Sequence, residues 1–452
     1  MESHALPAEA ERAVETIKQA DLVVGIPSFN NARTIGHVVR ACYAGLAKYF
    51  PQMSCVVINS DGGSTDGTRE AVLSASVDEH SLMLLSTPLY PLHRLSFPYH
   101  GIPGKGSAFR MVFEMARRLG ARACVVVDSD LRSITPEWID LLVRPILSTK
   151  YDFVAPYYHR HKYDGTITNS IVYPLTRMLY GSQVRQPIGG DFGISPNVIN
   201  CYLKKDVWET DVARFGIDIW MTTVAVAEGF RVCQSFLGAK LHDAKDPSAD
   251  LSAMLQQVVS SVFDLMHVYE KAWQRLQGSA SVPLFGFRFD VGLDPIQVDV
   301  DRMLREFRRG SAELGEVWDI CLQPDTSSEI RRLAAVPPKE QIFHMDDILW
   351  AKVVIEFSRA YRMNPILRTQ LVRSLTPLYL GRVASFVMES EKLGSREVEE
   401  KIESLCLAFE SLKPYLIGLW NGEPPQATHT NHPASGEPDG PGGQDTLEVR
   451  NV

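Results

Sequence analysis

Between residues 21 and 245 short apolar runs alternate with stretches of helical spacing. Asp21–Ile26 (DLVVGI) predicts a buried strand. Arg33–Phe50 follows, with apolar residues at Ile35, Val38, Val39, Cys42, Leu46 and Phe50, the three-and-four spacing of one helix face. Ser54–Ile58 predicts a second strand, Asp66–Ser76 a second helix and Ser81–Leu85 a third strand. Lys105–Leu119 predicts a helix stopped by Gly120, a residue suited to the left-handed position past a helix end. Ala121–Val127 is the most β-branched run, and Pro136 sits in the first turn of the helix that follows it. Such alternation predicts an α/β domain: a mostly parallel sheet with helices on both faces.

Beyond residue 245 the strand signals fade. Leu251–Leu276, Ile342–Tyr361, Pro365–Glu391 and Ser395–Ser411 carry helical patterns, so 246–420 reads as a helical C-terminal region, with turns such as Val282–Pro295 inside it. Residues 1–20 form an N-terminal extension whose first ten are expected to be loose. Residues 421–452 are rich in Gly and Pro and lack aromatics, which predicts a disordered tail.

Composition narrows the function. The 452 residues carry 46 Lys+Arg and 54 Asp+Glu, a formal charge of −8 that argues against a nucleic-acid partner. No apolar run reaches the length of a membrane span, and the first 20 residues hold no signal-peptide core. Seven scattered cysteines without a CxxC pair fit reduced thiols, hence a cytoplasmic expectation.

The chemistry gathers after the strands. Asp128-Ser129-Asp130 directly follows the Val125-Val126-Val127 run, where open α/β sheets bind ligands. Two carboxylates at i and i+2 suit a hard cation, Mg²⁺ or Mn²⁺, that holds a diphosphate; the alternative is a solvated turn. Gly104-Lys105-Gly106 opens the preceding helix, a good diphosphate contact or simply a tight turn. Asn59–Thr68 (NSDGGSTDGT) is a Gly-rich loop in which Asp61 could accept from a base; Pro27-Ser28-Phe29-Asn30-Asn31 lines the same edge. Gln186-Pro187-Ile188-Gly189-Gly190-Asp191 permits a close backbone approach to a sugar. Asp218, in Phe215-Gly216-Ile217-Asp218, is either a helix-start charge or a pocket carboxylate. His242, in Lys240-Leu241-His242-Asp243, could add an imidazole ligand.

Taken in order, PSFNN, SDGGSTD, GKG, DSD, QPIGGD, FGID and KLHDAK resemble the GT-A glycosyltransferases, a Rossmann-like fold acting on nucleotide-diphosphate sugars. The set looks most like the retaining mannosylglycerate, glucosylglycerate and glucosyl-3-phosphoglycerate synthases. The resemblance covers about 21–246. It implies nucleotide contacts from Pro27, Asn30, Asp61, Lys105, Asp128 and Ser129, and a Mg²⁺ or Mn²⁺ ion on Asp128, Asp130 and His242. It implies that Gly189, Gly190 and Asp191 hold the donor sugar and that Asp218, with Asp191, faces the reacting centre. The acceptor would be D-glycerate or 3-phosphoglycerate. Thr166, Asn169 and Arg185 are candidates to hold it, Arg185 as an anion clamp. A homodimer is the family-level expectation. Two departures stand out: the second Gly at Gly62-Gly63, and Asp191 where relatives more often carry Glu.

Other classes stay open on residues alone. A transferase to a lipid phosphate or polysaccharide would share the fold. A sugar nucleotidyltransferase would carry its Gly-rich, Lys-containing loop after the first strand, where PSFNN stands here. A non-catalytic scaffold would not need the intact DSD, Lys105 and His242. An inverting enzyme would require a carboxylate base, a role open to Asp218.

Overall fold

The computed structural model describes residues 6–75, 92–98, 104–210, 212, 216–241, 252–289, 292–293, 296–336 and 343–422. Eight strands form one sheet: β1 Leu22–Ser28, β2 Cys55–Asp61, β3 Leu92–Pro98, β4 Ala123–Val126, β5 Phe153–His159, β6 Phe192–Ile194, β7 Val232–Ala239 and β8 Leu284–Phe285. Their order across the sheet is β3-β2-β1-β4-β6-β5-β7-β8. All pairings are parallel except those of β6, which runs antiparallel to both β4 and β5. The expected α/β sheet is therefore present, with one reversed strand at its centre. That strand carries Asp191 into the sheet beside Asp128.

Alternation along β1 explains the layers. Leu22, Val24 and Ile26 point to one face, where helices Ala32–Tyr49 and Pro136–Leu147 cover them. Val23 points to the other, beneath helix Lys105–Arg118. This second core continues without a break through helix Ile217–Ala227 into Ser252–Val268, Asp347–Met363 and Arg368–Ser390. The C-terminal region thus shares one buried core with the sheet.

Several expectations shift. Leu6 and Ala10 are buried, so part of the segment expected to be loose is anchored, with helix Ala8–Ile17 packed on the core. The stretch expected as turns at Val282–Pro295 contributes β8, which borders β7. Helices Val300–Glu313, Gly315–Cys321, Pro324–Ala334 and Lys413–Asn421 add to the four read from periodicity. The predicted strand at Ser81–Leu85, the 245/246 boundary and the tail from 423 lie outside the described residues. No helix among the described residues is long and apolar enough to cross a membrane.

Helix Ser395–Ser411 is tied to the sheet half by charge. Buried Arg177 donates to Glu403 at 2.6 and 2.8 Å and to Glu410 at 2.8 Å. Arg185 donates to Glu399 at 2.9 and 3.0 Å on the same helix. Glu403 is half exposed, so the cost of Arg177→Ala falls below the usual 3–5 kcal/mol for breaking a buried pair, to about 2 kcal/mol. A lowered urea midpoint checks this; an unchanged midpoint would show that the helix is held by apolar packing alone.

Candidate active site

Five charged side chains meet beyond the carboxyl end of β4. Strand β4 delivers Asp128, the helix after Gly104 delivers Lys105, and the reversed β6 delivers Asp191. Helix Ile217–Ala227 brings Asp218 in its first turn, and Lys240 follows β7. Lys105 Nζ lies 2.7 Å from Asp128 Oδ1 and 3.0 Å from Asp218 Oδ2. Lys240 Nζ donates to Asp128 Oδ2 at 2.7 Å, Asp191 Oδ2 at 2.9 Å and the Gly189 carbonyl at 2.7 Å. Asp191 Oδ1 accepts from the Asp128 amide at 2.8 Å, and its Oδ2 accepts from the Tyr158 hydroxyl.

The electrostatics follow from three carboxylates and two ammonium groups held close together with little exposure. Burial works to raise the Asp128 carboxyl, but Lys105 and Lys240 outweigh it and hold it well below the usual range. Burial likewise works against both ammonium groups and loses, Lys105 to Asp128 and Asp218, Lys240 to Asp128 and Asp191. Asp191 and Asp218 are pushed upward by burial, against the pull of Lys240 and Lys105 respectively. Asp218 Oδ1 is buried with no hydrogen-bond partner, an acceptor left for a ligand.

Gly190 is required here by space and by backbone. Its φ is +90°, and a Cβ would lie 2.2 Å from Asp128 Oδ2. Gly190→Ala should displace Asp128, and a misplacement of that order costs about 100-fold in turnover. Rate measurements on a variant with unchanged circular dichroism check this; a rate near wild type would mean that the carboxylate's position does not matter.

The predicted residues fall into two groups. Lys105, Asp128, Asp191, Asp218, Gly189 and Gly190 are brought together, with Asp130 and Ser129 on the same turn. Ser129 Oγ donates to Asn31 at 2.8 Å. Other residues have structural partners where a direct ligand contact was expected. Asp61 is almost fully buried, and its oxygens accept from Ser28, Ser64 and the Gly63 and Ser64 amides, so it shapes its own loop. Asn30 stands at φ 54° and accepts from the Thr65 amide at 3.0 Å. With Pro27 in β1, these residues form the ordered edge at the ends of β1 and β2. Asp191 is wholly buried and braces Asp128 from behind. Thr166 meets the Tyr379 hydroxyl at 2.6 Å, in a separate small cleft under the helical region. Arg185 is paired with Glu399 and with Asn169 Oδ1 at 2.9 Å, which uses three of its five N–H groups and leaves two for an anion in the cavity it lines. His242 lies outside the described residues. Among those described, no three His, Cys, Asp or Glu side chains are grouped to hold a metal.

Lys240 had no role in the sequence reading. Its signal was present: a Lys at the end of a strand, two residues before the quoted His, in a protein with surplus acid at its site.

Beside Gly189 a cavity of about 550 Å³ opens between the sheet and helix Ser395–Ser411. Arg160, Lys162, Arg185, Arg288 and Arg396 line it against Asp164 and Glu399, a basic chamber in an acidic chain.

The family model for the glycosyltransferase domain of mannosylglycerate synthase matches residues 95–264. That stretch is rather more than a third of the chain and contains Lys105, Asp128, Asp130, Asp191, Asp218, Lys240 and His242. The likeness read from the motifs is borne out there: this part of the chain is similar to a glycosyltransferase domain of the glycosylglycerate-synthase type. Among solved structures, the chain is similar to glucosyl-3-phosphoglycerate synthase from Mycobacterium tuberculosis in complex with Mn²⁺, UDP and phosphoglyceric acid. It shares 21% identity with that protein, covering 57% of this chain and 81% of that one, with a TM-score of 0.41. The same enzyme with Mg²⁺ and UDP shares 21% identity over 57% of this chain and 82% of that one, again with a TM-score of 0.41. No curated protein matches the chain.

Proposed function

We propose that the protein is a metal-dependent, retaining glycosyltransferase that moves a hexose from a nucleotide-diphosphate sugar to a small hydroxy acid, D-glycerate or 3-phosphoglycerate. The observation that carries this is the Lys105–Asp128–Lys240–Asp191–Asp218 cluster at the strand ends, with a basic cavity lined by Gly189, whose carbonyl Lys240 binds. An anionic donor would sit at the cluster and an anionic acceptor in the cavity.

The donor chemistry suits a divalent cation: two carboxylates, Asp128 and Asp130, on one turn after β4. Asp128 and Asp130 would hold it, with His242 as the further ligand expected from the resemblance. When bound, the cation supplies positive charge against the diphosphate. Lys105 is the more accessible of the two lysines and can turn from Asp128 toward that diphosphate. Lys240 stays buried and keeps Asp128 and the Gly189–Asp191 loop in place.

In the transfer, the anomeric C–O bond to the diphosphate breaks and its electron pair leaves with the diphosphate. The acceptor oxygen forms the new bond to the anomeric carbon. Its proton passes to the departing phosphate oxygen, as retention on the donor's own face allows. Asp218 and Asp128 would stabilise the cationic sugar, and Lys105 would stabilise the leaving group.

Calorimetry with UDP-glucose, GDP-glucose, ADP-glucose and GDP-mannose tests the donor half. One of them should bind in Mn²⁺ or Mg²⁺ and weaken at least tenfold in EDTA or in Asp128→Ala. Binding of none, or binding indifferent to both changes, would overturn the assignment.

A further inference from the structure

The cavity is larger than a three-carbon acid needs. Its volume of about 550 Å³ falls in the range of about 300–1,000 Å³ that encloses drug-sized ligands. Its lining also carries two chemistries. Arg160, Arg185 and Asn169 suit a carboxylate or phosphate. Arg160 lies over the Tyr158 ring at 5.4 Å, and its buried Nε has no partner.

Another part of the lining is aromatic. Tyr157 and Phe236 stand 6.1 Å apart, and Phe289 meets Phe236 edge-on at 5.4 Å. Arg288 lies over Tyr157 at 5.1 Å and donates to its hydroxyl at 3.2 Å. The backbone makes room for this group. A register shift at Tyr157/Tyr158 interrupts the β5–β7 pairing, and Gly238 on β7 takes φ +80°. A Cβ there would lie 3.4 Å from Phe289 Cζ. Even so, Phe289 remains 48% exposed at the cavity's rim. A half-exposed ring beside an arginine offers a flat apolar surface next to a donor for hydroxyl groups. The C–H face of a sugar ring complements it, since the negative face of an aromatic ring attracts polarised C–H edges.

We propose that this aromatic group is a subsite for a sugar ring already attached to the acceptor, so that the enzyme glycosylates a glycosylated hydroxy acid in preference to the bare acid. This rests on the glycosyltransfer reading above. The acid group would sit at Arg160 and Arg185, and the acceptor's sugar on Phe289 and Tyr157 with Arg288 at its hydroxyls. The bonds made and broken are those of the transfer described: the new bond joins the donor's anomeric carbon to an acceptor hydroxyl, and the nucleotide diphosphate leaves with the electron pair.

The test compares D-glycerate with 2-O-glucosylglycerate as acceptors for the full-length protein, with the four nucleotide sugars named above as donors and Mn²⁺ present. The ratio of kcat/KM for glucosylglycerate over D-glycerate should exceed one and fall at least threefold in Phe289→Ala and in Arg288→Ala. Phe289→Tyr, which keeps the ring, should retain the wild-type ratio. A ratio below one, or a change under threefold in both alanine variants, overturns the subsite. Failure of both acceptors with every donor would instead overturn the glycosyltransfer reading, and the subsite with it.

Discussion

Replacing Lys240 by Met should lower the stability of the folded protein by about 3–5 kcal/mol, the cost of leaving a buried charge without its partner. Lys240 is the main counter-charge to Asp191, which has no solvent exposure at all. All three ammonium protons are spent, on Asp128, Asp191 and the Gly189 carbonyl. Met matches the length and apolar stem of Lys but satisfies none of these acceptors. Adding Asp191→Asn removes the stranded charge, so the double variant should recover part of the loss. A coupling energy well above the 0.3–0.5 kcal/mol expected of independent sites would show that the pair acts as a unit. Urea unfolding of the four proteins measures it. Additive effects would mean that the contact is incidental to stability.

Lys105→Met should cut kcat by about 100- to 1,000-fold, the range for removing one preorganised group that stabilises developing negative charge. Lys105 sits at a helix start and is partly exposed, between Asp128 and Asp218. Its loss leaves Asp128 still held by Lys240, so the fold should survive and the unfolding midpoint should move far less than in Lys240→Met. Steady-state kinetics with a calorimetric melt separate the two effects. A large loss of stability with little loss of kcat would make Lys105 a structural residue.

These two lysines also mark what the sequence made legible. Lys105 could be found because two glycines and a helix start framed it, and Asp128 because it ended a β-branched strand. Both signals are local. The strands and helices around them follow from periodicity, so β1, β2, β4 and the helices between them agree with the reading to within a few residues. The partners of Asp191 and Lys240 are contacts across the sheet. They depend on β6 entering antiparallel between β4 and β5, and nothing in a three-residue strand announces its direction. Arg185 shows the same limit. Its sequence neighbourhood suited an anion clamp but gave no sign of its pairing with Glu399, more than 200 residues away. The helical region carried no motif, yet helix Ser395–Ser411 walls the cavity through Val398, Glu399 and Ile402.

The reaction proposed at this cluster is transfer of a hexose to a hydroxy acid. Following ¹³C-labelled nucleotide sugars with D-glycerate, 3-phosphoglycerate or glucosylglycerate by NMR tests it most directly. A new glycosidic carbon of the donor's own anomeric configuration should form in step with nucleotide diphosphate and be lost in Asp128→Ala. Nucleotide diphosphate released with free sugar alone, or a product of inverted configuration, would contradict it.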